Sequence, residues 1–118
     1  MKLNHLDLSV SDVARTRDFF VAHFDFICLE DKSEKMSILQ GADGFVLVLD
    51  KLKITDPPNY PAQFHIGFVL ENESEVENKR AELQRAGVEV PSELRKNTRG
   101  TMFYFTAPGA ILIEVSCR

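Results

Sequence analysis

The chain has 118 residues, of which 44% are hydrophobic and 27% charged, and its net charge is −4. This length and composition indicate one small globular domain with a real core. The negative charge disfavours a nucleic-acid partner, which would call for a basic face. No apolar run approaches the roughly 18 residues of a membrane span. The first residues lack the apolar stretch of a signal peptide, so we expect a cytoplasmic protein with no membrane partner.

The first half of the chain predicts a strand, a helix and three further strands. The first strand covers residues 3–10, and Ser11 or Asp12 caps a helix over 13–24. The three strands that follow are predicted at 26–30, 36–40 and 45–49, the last two joined by a glycine-containing turn. This first module spans about residues 1–50, and a proline-rich linker over 51–62 follows it.

The second half repeats this order of elements. The predicted elements are a strand at 63–70, a helix at 74–86 ended by Gly87, a short strand at 88–90, a polar loop at 92–100 and strands at 101–106 and 111–116. The sequence therefore predicts two copies of one strand–helix–strands unit, the second over about 63–118, within a single domain. The alternative is an α+β domain without an internal repeat.

Two histidines and a glutamate occupy related places in these strands. His5 and His65 lie near the start of the first strand of each module, and Glu114 lies in the last strand. Side chains alternate along a strand, so each of the three falls on the polar face, opposite the apolar face that packs on the helices. Two imidazoles and one carboxylate would leave open positions on a divalent metal, as catalysis requires. The alternative is that they are hydrogen-bonded structural residues.

The two-module pattern with His5, His65 and Glu114 at these places resembles the vicinal oxygen chelate superfamily. The stretches that carry the resemblance are HLDLSVSDVARTRDFF at residues 5–20 and FYFTAPG at 103–109, which leads to Glu114. The superfamily includes glyoxalase I, fosfomycin-resistance proteins, extradiol dioxygenases, methylmalonyl-CoA epimerase and bleomycin-resistance proteins. The resemblance covers essentially the whole chain and is more specific for the fold than for the reaction.

The resemblance implies an α+β fold in which two βαβββ modules form a cupped eight-stranded mixed sheet with helices on one face. It also implies a homodimer, in which some members exchange modules between subunits. His5, His65 and Glu114 would hold a divalent metal (Mn, Fe, Ni or Zn), and a small substrate with adjacent oxygens would take the open positions. Tyr104 matches a tyrosine near the site of the fosfomycin and dioxygenase groups and is the candidate catalytic donor.

Departures from the family pattern concern the end of the first module. Glyoxalase I and the epimerase carry a fourth ligand there, and aligning Gly44 with Gly109 puts Leu49 at that position. Leu49 cannot bind a metal and is expected to contact substrate, while Asp50 is expected to point to the opposite face unless a bulge intervenes. A glyoxalase I reaction is therefore disfavoured.

A basic segment at residues 95–99 resembles the loop that holds the phosphonate in fosfomycin proteins. Within it Lys96 and Arg99 are candidate substrate-binding residues, as is Asp7 on the polar face of the first strand. Asp7 would, however, repel a phosphonate. The other interpretation of the segment is a solvated loop.

Two functions remain open from the sequence. The first is a metal-dependent enzyme of the lyase, isomerase, transferase or dioxygenase type. The second is a metal-free protein of the bleomycin-resistance type that binds a small molecule or antibiotic, which the acidity of the chain and Asp7 would favour.

Overall fold

The structure is a computed structural model that describes residues 1–57 and 60–118. Over these residues the chain forms two helices and eight strands in the order of two βαβββ modules. The first module contains β1 (His5–Val10), α1 (Val13–His23), β2 (Ile27–Asp31), β3 (Met36–Gln40) and β4 (Val46–Lys51). The second contains β5 (His65–Leu70), α2 (Glu73–Arg85), β6 (Arg95–Asn97), β7 (Gly100–Ala107) and β8 (Ile111–Cys117). The predicted α+β class and its repeated module are confirmed.

The eight strands form two four-stranded mixed sheets with the same topology. Their strand orders are β1-β4-β3-β2 and β5-β8-β7-β6. In each sheet the first and last strands of the module pair in parallel, and the other pairs are antiparallel. The chain divides into two compact units, Met1–Tyr60 with Pro108–Ala110, and Pro61–Ala107 with Ile111–Arg118.

Side-chain caps explain where the two helices begin. The Asp12 carboxylate accepts a hydrogen bond from the Arg15 backbone N–H at 3.0 Å, so Asp12 takes the capping role that the sequence left between two residues. At the start of α2 the Asn72 side-chain oxygen accepts a hydrogen bond from the Glu75 backbone N–H at 2.9 Å. Gly87, with φ of 83°, follows the end of α2 as predicted. Neither helix of the described chain has the length and apolarity that crossing a membrane requires.

The helices cover one face of each sheet, and the core lies beneath them. In the first module Leu8, Leu47 and Leu49 are at most 1% exposed, and Phe20 of α1 is fully buried against them. In the second module the sheet residues that are at most 1% exposed are Phe103, Phe105, Ile111, Ile113 and Val115. The predicted alternation of apolar and polar faces in β1, β5 and β8 is confirmed, which leaves the other face of each sheet for polar groups.

The prediction for the short strand of the second module was wrong. The sequence suggested a strand at 88–90, but the structure places β6 at Arg95–Asn97, inside the predicted polar loop. Pro91 has no N–H to contribute to a sheet, so the segment before it stays irregular although Val90 is buried. Gly100 closes the turn between β6 and β7 with φ of 123°, a conformation that only glycine adopts readily.

The segment after β4 returns to the outer edge of β1. The Leu52 N–H first extends the parallel pairing of β4 with β1 by donating to the Val10 carbonyl at 2.9 Å. The Tyr60 hydroxyl accepts from the Ser9 N–H at 2.8 Å and donates to the Ser9 carbonyl at 3.0 Å. At the opposite edge of this sheet, the pairing of β2 shifts between Cys28 and Glu30, which marks a β-bulge. Part of the predicted linker, Pro58 and Asn59, lies outside the described residues.

Candidate metal and substrate site

The site of the second module is built on three neighbouring strands. Glu114 lies on the central strand β8, opposite Gly67 of β5 on one side and opposite Tyr104 of β7 on the other. His65 precedes Gly67 by two residues, so its side chain lies on the same face of the sheet. The sequence neighbours of Glu114, Ile113 and Val115, are fully buried beneath α2. The helix-free face therefore carries His65, Tyr104 and Glu114 together.

These three side chains are in direct contact. The Tyr104 hydroxyl donates a short hydrogen bond to Oε2 of Glu114. Nε2 of His65 lies 3.6 Å from the same carboxylate oxygen, which is too long for a good hydrogen bond. The rings of His65 and Tyr104 meet edge to face with centroids 5.8 Å apart. An imidazole nitrogen and a carboxylate oxygen thus face the same small volume.

A nearby backbone carbonyl, that of Gln63, sets the orientation of the His65 ring. Its Nδ1 lies 2.9 Å from the carbonyl oxygen of Gln63. A carbonyl only accepts, so Nδ1 carries the hydrogen and, in the neutral ring, Nε2 presents a lone pair toward Glu114. Metal-binding histidines characteristically have the second ring nitrogen engaged in this way. The donor set and its orientation fit a divalent metal held by His65 and Glu114.

Electrostatics keep Tyr104 protonated. Its hydrogen bond to Glu114, partial burial and the negative charge of Glu114 raise the pKa of the phenol, while the positive charges of Arg99 and Arg95 lower it. The phenol therefore remains a hydrogen-bond donor at neutral pH.

The face of the first module carries a different set of groups. His5 lies opposite Val46, Asp7 opposite Val48, and Ser9 opposite Asp50 in the parallel pairing of β1 with β4. By this register Val48 corresponds to Glu114, since Asp7 and Gly67 occupy equivalent places. The first module thus has an apolar residue where the second has its carboxylate.

The predicted orientations of Leu49 and Asp50 were wrong. Leu49 pairs with Leu8 and is fully buried on the helix side, so it does not line the polar face. Asp50 shares the polar face with Asp7, to which it is hydrogen bonded. Alignment of Gly44 with Gly109 misplaced both residues by one, and a shift of one residue exchanges the two faces of a strand.

Asp7 and Asp50 form a carboxyl pair on this face. Partial burial, the hydrogen bond with Asp50 and the repulsion of its charge raise the pKa of Asp7 to about 6, against a lowering effect of His5. The pair therefore holds a proton well above the pH at which a free aspartate loses it. Sequence reasoning put Asp50 on the opposite face because it assumed the wrong register for β4.

We expect the protonation of Asp7 to make stability depend on pH. Folding raises the pKa of Asp7 from 3.8 to about 6, so the folded chain binds the proton more tightly and stability falls as pH rises between these values. Asp7→Asn removes the repulsion, and its stability relative to wild type should be greater at pH 7 than at pH 4. Chemical denaturation at both pH values measures the difference, with the exposed Glu34→Gln as control. An equal effect of Asp7→Asn at both pH values would contradict this assignment.

The basic segment divides between the two faces of the second sheet. Lys96 forms an ion pair with Glu73 at the start of α2, so it points to the helix side. Arg95, opposite Met102, shares the face of Tyr104, because Met102 and Tyr104 are two residues apart on β7. Of the two predicted cations, Lys96 therefore lies on the face away from the site. Arg95 was missed because residues 95–97 were not recognised as a strand.

Within residues 1–57 and 60–118, no three His, Cys, Asp or Glu side chains are grouped closely enough to hold a metal. His5 lies on the polar face of the first sheet, and His65 with Glu114 on that of the second. The second module thus provides two candidate ligands by itself.

Comparison with known proteins identifies the family. The model of the glyoxalase/bleomycin resistance protein/dioxygenase superfamily matches residues 2–115. A solved structure described as a possible glyoxalase from Bacillus cereus is 32% identical and superposes with a TM-score of 0.83, covering 99% of each chain. No curated protein matches the sequence.

Two more distant structures share the fold. The fosfomycin resistance protein FosX from Listeria monocytogenes is 23% identical, with a TM-score of 0.81 over 100% of this chain and 93% of that one. Lactoylglutathione lyase from Agrobacterium tumefaciens is 13% identical, with a TM-score of 0.80 over 98% and 92%. The chain belongs to the glyoxalase/bleomycin resistance protein/dioxygenase superfamily.

Proposed function

We propose that this protein is a divalent-metal-dependent enzyme acting on a small substrate with adjacent oxygens. The observation that carries the proposal is the arrangement of His65 and Glu114. One imidazole nitrogen and one carboxylate oxygen converge at 3.6 Å on an exposed face, and the Gln63 carbonyl orients the imidazole. A purely structural histidine would not need its free nitrogen aimed at a carboxylate that already accepts from Tyr104.

His5 is the proposed third ligand, beside His65 and Glu114. Two imidazoles and one carboxylate suit Mn, Fe, Ni or Zn and leave positions for substrate oxygens. The bound metal would supply Lewis-acid polarisation of those oxygens or, for a redox-active ion, oxygen chemistry. Small members of the superfamily form homodimers and in some cases exchange modules, so we propose that His5 reaches the metal within the same chain or from a second copy.

Tyr104 is the proposed catalytic donor. Its hydroxyl is held against Glu114 and keeps its proton, so it is placed to donate to a substrate oxygen that binds beside that carboxylate. Arg99 is the proposed substrate contact from the basic segment. Asp7, on the polar face of β1, is a further candidate contact, whereas buried Leu49 and helix-facing Lys96 are removed from the proposal.

The alternative is a metal-free binding protein of the bleomycin-resistance type. The Asp7–Asp50 pair favours it, since two carboxyl groups on an exposed sheet face would attract a cationic drug. Thermal stability in the presence of EDTA separates the two functions. Stabilisation by bleomycin without metal supports the binder, and stabilisation only by metal supports the enzyme. In either case we propose a cytoplasmic protein with a small-molecule ligand and no nucleic-acid partner.

The proposal is tested by the metal content of the purified protein and by its thermal stability with Mn, Fe, Co, Ni and Zn. We expect about one metal per chain and a stabilisation of about 2–4 kcal/mol at saturating metal, as mass action predicts. The double variant His5→Ala/Glu114→Ala should lose both. A wild-type protein that binds no metal and shows no shift would refute the enzyme proposal.

A further inference from the structure

A tight turn lies directly before β5. The Phe64 backbone N–H donates to the Pro61 carbonyl oxygen at 3.0 Å, which closes a four-residue turn. Neither central residue, Ala62 or Gln63, has a positive φ, and together with the hydrogen bond this fits a type I turn. Both central residues are exposed. The chain therefore changes direction at Gln63 and only then enters the strand.

This change of direction makes the contact between Gln63 and the His65 ring possible. In a continuous strand, residues two positions apart are separated by about 6.8 Å. Carbonyl groups there point in the plane of the sheet, whereas side chains stand perpendicular to it. A Gln63 carbonyl inside the strand would thus point away from the ring. In the structure its oxygen lies 2.9 Å from Nδ1 of His65, so this hydrogen bond depends on the turn.

The hydrogen bond decides which ring nitrogen of His65 carries the hydrogen. A neutral imidazole has one hydrogen, on Nδ1 or on Nε2. With the hydrogen on Nε2, the ring would be a donor toward Oε2 of Glu114, 3.6 Å away, and would present no lone pair on that side. With the hydrogen on Nδ1, the lone pair of Nε2 faces the carboxylate, as a metal ligand requires. The tautomer therefore separates a structural pair from a metal-binding pair.

The equivalent histidine of the first module has no such turn before it. Residues 1–4, which precede His5, form no turn. Within residues 1–57 and 60–118 no backbone carbonyl accepts a hydrogen bond from the His5 ring. Both modules nevertheless have the same order of strands and helices. The turn is therefore not a requirement of the module, but a feature of the segment that carries His65.

We propose that the turn over residues 61–64 is a positioning element, which holds His65 with its hydrogen on Nδ1 before any metal binds. The ring then needs no reorientation to offer its lone pair beside Glu114. Outer partners that fix a histidine ligand in this way typically contribute about 10–100-fold to metal affinity. The benefit for metal binding rests on the proposed function, whereas the tautomer of His65 does not.

The tautomer can be measured without metal. The full-length protein, freed of metal by chelating resin, is studied at about pH 9, where an ordinary histidine is neutral. Long-range ¹H–¹⁵N NMR distinguishes a ring nitrogen that carries hydrogen from one that does not. We expect a single tautomer for His65, with the hydrogen on Nδ1. A hydrogen on Nε2, or an equal mixture of the two tautomers, would overturn the proposal.

Prolines at the two central positions test the turn itself. Gln63→Pro keeps the carbonyl, but proline is disfavoured at the third position of a type I turn and should disrupt it. His65 should then show both tautomers, and isothermal titration should show Zn binding weakened at least about tenfold. Gln63→Gly, which loosens the turn without blocking it, should shift the tautomer in the same direction and covers the case in which Gln63→Pro does not fold.

Two matched controls leave the backbone of the turn in place. Ala62→Pro adds a proline at the second position, where type I turns favour it. Gln63→Ala removes the exposed side chain and keeps the carbonyl. Both variants should retain the wild-type tautomer and bind Zn within about twofold of wild type. If Gln63→Pro and Gln63→Gly give the same tautomer as these controls, the turn does not position His65.

The two proposals fail separately. If wild type binds no Zn, but Gln63→Pro or Gln63→Gly changes the His65 tautomer and the controls do not, the positioning element stands and the metal-dependent function is refuted. If Zn binds and every variant has the same tautomer, the positioning element is refuted while the metal centre remains.

Discussion

The variant His65→Ala should bind divalent metal at least about 100-fold more weakly than wild type. Loss of an outer partner of a metal ligand alone costs about 10–100-fold in affinity, and removal of the ligand itself should cost no less. His65 is the best-oriented candidate, because the Gln63 carbonyl occupies Nδ1 and leaves Nε2 facing Glu114. Isothermal titration with Mn or Zn measures the change.

His23→Ala is the matched control for this measurement. His23 ends α1, and its ring contacts Phe19 at a centroid distance of 5.0 Å, so the variant removes an imidazole without touching the polar face of either sheet. Its affinity for metal should stay within about twofold of wild type. If His65→Ala and wild type bind metal equally tightly, the ion is held elsewhere and the proposed centre is wrong.

The variant Phe103→Ala should destabilise the protein by about 3–5 kcal/mol, the range typical of removing a buried phenylalanine. Phe103 is fully buried on the helix side of β7, and its ring stacks on Phe105 with centroids 6.1 Å apart. The cavity would lie directly behind the strand that carries Tyr104. Urea denaturation followed by circular dichroism measures the change in the free energy of unfolding.

Val69→Ala provides the comparison on the opposite face. Val69 lies in β5 and is 55% exposed, so truncation removes little buried area and should cost less than about 1 kcal/mol. If both substitutions cost the same, the buried and exposed faces of the second sheet have been assigned incorrectly.

The order of elements and the faces of β1, β5 and β8 were predictable from the sequence. Alternating apolar residues place their side chains on one face whatever the neighbouring strand is, so His65 and Glu114 were assigned correctly to the polar side. The helix cap at Asp12 was equally local, because a side chain bonds a backbone group only three residues away.

Properties that depend on strand pairing were not predictable in this way. The register of β4 on β1 determines which residue Asp50 contacts. Aligning Gly44 with Gly109 did not reveal that register. The strand at residues 95–97 has no apolar alternation, since it is an exposed edge strand whose identity comes from pairing with β7. The contact between Tyr104 and Glu114 likewise arises because β7 pairs with β8, which brings together two residues that are ten positions apart in the sequence.

The hydroxyl of Tyr60 makes it harder for another chain to pair with the edge of the first sheet. An edge strand normally offers a row of free backbone groups onto which another chain can add, and this is a common start of aggregation. At β1 the hydroxyl occupies both backbone groups of Ser9, and at the other edge the bulge between Cys28 and Glu30 interrupts the pattern of β2. In the described part of the chain the two edges of this sheet are thus protected by different means. At β1 a side-chain hydroxyl occupies backbone groups, and at β2 the strand is irregular.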